Sequence, residues 1–161
     1  VENAIAGWTA TLALARGYTY AEAANLTALF FGAVLGGRLI AAWLGRHARA
    51  GLLVVAAIAG TALLLALAGF TAVGPIAFAL TGFALAPIFS ATLIWVGSAL
   101  PTSTQTNAMV IAGALLGAAL FPALIGRVID GLGAAAAPPA ILALALAALA
   151  AAAWLHFVRR T

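Results

Sequence analysis

Long apolar runs, interrupted at regular intervals by short polar or glycine- and proline-bearing breaks, make up most of this chain. A membrane-spanning helix needs about 17 to 25 mostly apolar residues, and the breaks cut the sequence into six pieces of about that size. The first runs from Val1 to Ala15 and is ended by Arg16, Gly17, Tyr18, Thr19 and Tyr20. The second covers Ala23 to Leu44, ahead of a basic loop of Gly45, Arg46, His47, Ala48 and Arg49. The third spans Gly51 to Ala68, the fourth Pro75 to Ser98, the fifth Asn107 to Ile129 and the sixth Pro138 to His156. Short turns between long apolar helices predict an antiparallel bundle, because in lipid each backbone N–H and C=O must be satisfied within its own helix.

The pattern repeats itself. The fifteen residues from Gly32 to Arg46 align without a gap on Gly113 to Arg127, an offset of 81, with eight identities. At the same offset Trp8-Thr9-Ala10-Thr11-Leu12 falls on Phe89-Ser90-Ala91-Thr92-Leu93, aromatic on aromatic and hydroxyl on hydroxyl. Transporter folds are commonly built from such repeats. Because 81 residues hold three helices, the two copies would cross the membrane in opposite directions. The expected fold class is therefore an all-α membrane protein of six transmembrane helices, arranged as two inverted three-helix repeats at 1–69 and 74–158. Gly74 opens the fourth helix, and its counterpart would lie about eight residues before Val1. The chain also starts with Val. Both points lead us to expect a piece of a longer protein that lacks the start of its first helix.

Composition agrees with lipid as the solvent. Hydrophobic residues make up 66% and charged residues 6%, against about 45–50% and about 25% in soluble domains. One signal peptide on a soluble body would supply only a single short apolar core. The net charge of +4 comes from arginines scattered among apolar segments, so no continuous basic face exists to track nucleic-acid phosphates. Arg46, Arg49, Arg159 and Arg160 fall on one side of the expected bundle, and Arg16 and Arg127 on the other. The positive-inside rule then places the C-terminus in the cytoplasm. The absence of lysine and the abundance of Ala and Gly point to a GC-rich bacterial source and hence to a bacterial inner membrane.

Four local patterns carry a resemblance. Gly37-Arg38 followed by Gly45-Arg46-His47-Ala48-Arg49 is a degenerate glycine and basic signature. Gly82 through Phe89 contains Pro87 in a glycine-bearing helix, Gly113, Gly117, Pro122, Gly126 and Asp130 share one helix, and Glu2 precedes Gly7-Trp8. Together they are similar to the C-terminal half, helices seven to twelve, of major facilitator superfamily transporters, with the last pattern closest to sugar-porter-like branches. The signature's usual Asp is absent, with Ala41 and Ala42 in its region. The resemblance implies alternating access between two six-helix halves, and it implies that the third helix of each repeat is peripheral.

Polar residues in hydrocarbon are costly and should face a water-filled cavity or a partner helix. Glu2 is the first functional candidate, because a carboxylate inside a membrane must be paired or protonated, and such a group can carry a coupling proton. Its alternative roles are a structural acid, paired with an arginine or hydrogen-bonded to a neighbouring helix, and an interfacial residue at the start of a truncated helix. Asn3, Trp8, Thr9, Thr11, Asn25, Phe89, Ser90, Thr92 and Trp95 form the candidate substrate wall, hydroxyls and aromatic faces suiting a small polar solute such as a sugar. Alternatively Thr and Ser bond their own helix backbone and the aromatics only pack. Arg38 and Arg46 are read as gating or structural. Gly32 with Gly36 and Gly113 with Gly117 are read as GxxxG packing pairs, and Pro87 and Pro122 as helix bends. The third and sixth helices, almost devoid of polar side chains, read as scaffold.

These features point to secondary active, proton-coupled transport, with the lipid bilayer, a small-molecule substrate and an N-terminal six-helix half (or a second copy) as partners. The chain has no cysteine and its two histidines stand far apart, so neither a metal site nor any cofactor is expected. No Gly-x-Ser-x-Gly or His-Glu-x-x-His motif occurs, which argues against an enzyme. The alternatives are multidrug or metabolite efflux, a half-size transporter acting as a homodimer, and a non-transporting assembly subunit.

Overall fold

Residues 2–45, 48–70, 73–99 and 104–158 are described by a computed structural model of the chain, and every regular element among them is a helix. These are α1 (Glu2–Ala15), α2 (Tyr20–Leu44), α3 (Ala50–Phe70), α4 (Gly74–Leu85), α5 (Ile88–Ala99), α6 (Thr104–Leu132), a 3-10 turn (Ala134–Ala136) and α7 (Ala137–Val158). Five stretches are long and apolar enough to cross a membrane: α2, α3, α4 continued by α5, α6, and α7 with its preceding turn. That is the layout of an integral membrane protein. At about 1.5 Å per residue α1 is only about 21 Å long, shorter than a hydrocarbon core of about 30 Å.

Local chemistry sets several boundaries. The α2 helix starts at Tyr20, three residues earlier than the apolar pattern implied, because Thr19 and Glu22 close a capping box. The Glu22 amide donates to Thr19 Oγ1 at 3.3 Å, and Glu22 Oε2 accepts the Thr19 amide at 2.8 Å. This arrangement satisfies donors that a helix start otherwise leaves open. The fourth apolar segment breaks at Ala86 and Pro87 into α4 and α5, since Pro87 has no N–H to donate to Phe83 O and its ring crowds that carbonyl. Pro122, by contrast, sits inside α6, which continues as one helix on both sides of it.

The two ends of the bundle are tied separately. At one end Arg16 Nη2 donates to Ala68 O at 3.3 Å, joining the close of α1 to the close of α3, and Gly69 lies against Pro138 and Pro139 at the start of α7. At the other end the start of α3 meets α5 and α7, where Gly51 packs on Trp95 and His156. Between them Ile5, Leu12, Phe30, Leu65, Phe78 and Ile141 are fully buried. A smaller cluster of Val54, Ile58, Ala91 and Ala152 lies among α3, α5 and α7.

One expectation needs correction here. The α3 helix is not peripheral among the described residues: it packs along α4, α5 and α7, and Val54, Ile58, Thr61 and Leu65 on it are buried. Thr61, its only polar side chain, donates to Ala57 O at 2.8 Å and so can be buried at little cost. The exposed helix is α6, whose Met109, Leu115, Leu116 and Leu120 lie on the surface.

The close helix crossing also differs from the one the GxxxG pairs implied. A Cβ on Gly32 or Gly113 would meet nothing within 4 Å, and one on Gly117 would touch only Phe121 of its own helix. On Gly36 it would make ordinary contact with the Phe83 ring. The tight pair is Gly37 on α2 and Gly82 on α4, where a Cβ would run into the Phe83 carbonyl and the Phe30 carbonyl respectively. Phe83 O is the carbonyl that Pro87 leaves without a helical donor, so the break in the fourth segment and the glycine on α2 serve one contact. Gly37→Ala and Gly82→Ala should each cost about 1–3 kcal/mol through overpacking, read as a lowered unfolding midpoint in detergent. Gly32→Ala should leave that midpoint unchanged or raise it.

Candidate substrate cavity

The first turn of α1 carries Glu2 and Asn3, and the buried face that follows, Ala4 and Ile5, holds that turn on the bundle. Glu2 Oε1 accepts from Arg38 Nη2 of α2 at 3.4 Å. Arg38 follows Gly37 directly, so the tight α2–α4 crossing places the backbone from which its side chain reaches Glu2. The pair is open, its side chains 40% exposed at Glu2 and 61% at Arg38. Pairs this accessible contribute about 0–1 kcal/mol. Loss of the pair would therefore cost the bundle little stability.

Glu2 and Asn3 also stand on the wall of a cavity of about 480 Å³, within the range of about 300–1,000 Å³ usual for small-molecule sites. The α3 helix supplies Ile58 and Thr61 and α4 Leu85; α5 supplies Ile88, Phe89 and Thr92. Val110, Gly113, Ala114, Gly117, Ala118 and Phe121 of α6 form the facing wall, and Ala145 and Ala148 of α7 close it. Gly113 and Gly117 thus contribute room in a wall, not a helix contact. Among the described residues Glu2 is the only charged side chain lining the cavity.

The structure brings together Glu2, Asn3, Phe89, Thr92, Gly113 and Gly117 of the sequence candidates, with Arg38 on Glu2 from outside the wall. It does not bring in the others. Trp8 packs toward α6, where a Cβ on Gly126 would lie 3.2 Å from its ring. Thr9 is fully buried and donates to Ile5 O at 2.7 Å, and Ser90 donates to Pro87 O at 3.2 Å. Both hydroxyls serve their own helix backbone. Thr11 is half-buried on α1 and Asn25 exposed on α2, neither in the wall. Trp95 lies at the far end of α5 against His156, ring centroids 6.1 Å apart. Arg46 lies outside the described residues, as do His47, Arg159 and Arg160.

Among the wall residues that sequence reasoning missed are Ile58, Thr61, Phe121, Ala145 and Ala148. One signal was available for Thr61, the single polar residue of an otherwise apolar span. The alanines and Ile58 carried none, because their place in the wall depends only on which side of α3 and α7 faces α6. Among the described residues no three His, Asp or Glu side chains come together as a metal site.

Comparison with protein-family profiles, with curated proteins and with solved structures finds no match to this chain. What fold and site define is the class: an all-helical chain with membrane-length helices and a cavity bearing one carboxylate.

Proposed function

We propose that this chain forms the six-helix half of a proton-coupled secondary transporter of the major facilitator type, working by alternating access against a second half. The observation that carries the reading is Glu2, the one charged side chain among the described residues in the wall of a solute-sized cavity, held by an accessible ion pair to Arg38. A carboxylate placed so can accept a proton, lose its grip on Arg38 and change which arrangement of helices is favoured, the differential interaction that coupling requires. The inverted repeat read from the offset of 81 belongs to the same proposal.

The wall narrows the choice of solute. Most of it is hydrocarbon from Ile58, Leu85, Ile88, Phe89, Val110, Phe121 and the alanines, and the Thr61 hydroxyl is spent on Ala57 O. Among the described residues only Glu2, Asn3 and Thr92 remain to meet polar groups. A sugar would leave most of its hydroxyls without partners, each costing about 1–3 kcal/mol. A solute with an apolar body and one cationic or hydrogen-bond-donating group fits better, its body against Phe89 and Phe121 and its charge toward Glu2. This observation favours the multidrug or metabolite reading over the sugar reading.

The test is transport by the full-length protein in proteoliposomes under an imposed pH gradient. A lipophilic organic cation should move against its own gradient, and glucose should not. Failure of every solute in a panel of organic cations, neutral drugs, sugars and organic acids to move faster than in protein-free vesicles would remove the transporter reading.

A further inference from the structure

A second cavity, of about 410 Å³, lies at the end of the bundle opposite Arg16, framed by Arg49 and Gly51 at the start of α3, Ile94, Trp95 and Ser98 on α5, and His156 near the end of α7. It shares no residue with the cavity that holds Glu2. We propose that it binds a phosphate group, supplied by the headgroup of an anionic phospholipid.

The first argument is charge. The chain has three acidic residues, Glu2, Glu22 and Asp130. Glu2 is paired with Arg38, Glu22 closes the cap at Thr19 at the other end of α2, and Asp130 lies in the last turn of α6, the end that leads into α7. None is at the end where Arg49 and His156 meet. A guanidinium and an imidazole therefore line one cavity with no acidic side chain among the described residues beside them. Arg46, Arg159 and Arg160 neighbour them in sequence.

The second argument is fixed geometry. A Cβ on Gly51 would lie 2.9 Å from His156 Nδ1 and from the Trp95 ring, so the start of α3 is pressed onto both. Trp95 and His156 are themselves in edge contact, with their planes at 60°. Ser98 donates to Trp95 O at 2.7 Å and so holds the last turn of α5 in place. The histidine is thereby positioned by packing, and Arg49, exposed and on a long stem, is left to close over a ligand. Its planar fork suits two phosphate oxygens at once.

The third argument is depth. The cavity lies where three apolar helices, α3, α5 and α7, begin or end, which is the level of lipid phosphates. Basic pockets between helices at that level bind anionic headgroups, and tryptophan favours the same interface. The phosphate oxygens would meet Arg49 and a His156 ring N–H, and the acyl chains would run along exposed Leu52 of α3 and Ile94 of α5.

The experiment is thermal unfolding of the full-length protein in non-ionic detergent, titrated separately with phosphatidylglycerol, phosphatidylcholine and inorganic phosphate. Phosphatidylglycerol should raise the midpoint saturably and phosphatidylcholine should not. Arg49→Gln combined with His156→Gln should weaken the apparent affinity at least about tenfold, the loss of one set of charge-assisted hydrogen bonds. Arg49→Lys should keep most of it. Both sites are at the rim, and the midpoint without lipid reports whether the variants fold. A shift with phosphatidylglycerol alone assigns the phosphate to lipid, and a shift with inorganic phosphate alone assigns it to solution; either supports the site if the double variant loses it. Equal shifts with the two lipids, no shift with any probe, or a shift unchanged in the double variant would overturn it.

Discussion

Glutamine in place of Glu2 is expected to reduce the substrate accumulation ratio in proteoliposomes to about 1, because a side chain that binds no proton cannot link a proton gradient to a conformational equilibrium. Downhill exchange of substrate should persist. Glutamine keeps the shape of the side chain and an oxygen that can still accept from Arg38, now at 3.4 Å from Glu2, so the wall stays intact while the charge is lost. The ion pair is accessible and weak, and the unfolding midpoint should move by less than the effect of Gly82→Ala. Accumulation against a gradient in Glu2→Gln at the level of the unaltered protein would remove the coupling role from this residue.

The second large effect concerns space. Gly113 lines the cavity, and a side chain built on it would meet nothing within 4 Å of its Cβ. Gly113→Phe should therefore fold normally and fill room that the solute uses. Overpacking of about 1–3 kcal/mol, felt only when the solute is bound, corresponds to a loss of affinity of about 5- to 150-fold. Direct binding of a lipophilic cation by the variant in detergent measures it. Undiminished binding by a folded Gly113→Phe protein would show that solute does not use this cavity. The contrast with Gly82 is the useful part: two glycines in apolar helices, one needed by the helix crossing and one by the solute.

Much of the fold could be read along one dimension. Helix number, approximate limits and the break at Pro87 follow from runs of apolar residues and from a residue that cannot donate a hydrogen bond. The box at Thr19 and Glu22 was equally readable and shifts the start of α2 by a turn. Glu2 and Arg38 stand out because charge inside an apolar helix is costly wherever it occurs. Their pairing with each other was not legible, since 36 residues separate them and several arginines could have served.

The wall of the cavity was legible only in part. Phe89 and Thr92 line it, whereas Trp8 and Thr11, their counterparts at the offset of 81, do not. Hydroxyls read as solute ligands at Thr9 and Ser90 turn inward to their own carbonyls, a local choice that the residue type permits but does not dictate. The tight glycines were misplaced for a related reason. GxxxG spacing puts two small residues on one face, and which face meets another helix is settled by how α2 and α4 rotate against each other.

By itself, then, the sequence determined that this chain is helical, that its helices are long and apolar enough to cross a membrane, and that Glu2, an acid in an otherwise apolar helix, is a residue for which to look for a partner. Those properties depend on residue type and short-range spacing, the scale on which hydrophobic burial and backbone hydrogen bonding act. Only the tertiary structure decided that α3 is central, that Gly37 and Gly82 make the close crossing, and that Arg38 partners Glu2 at the rim of a largely apolar cavity. In lipid nearly every face of an alanine- and leucine-rich helix is equally apolar, so hydrophobicity cannot orient the helices. Steric fit and a few polar contacts do.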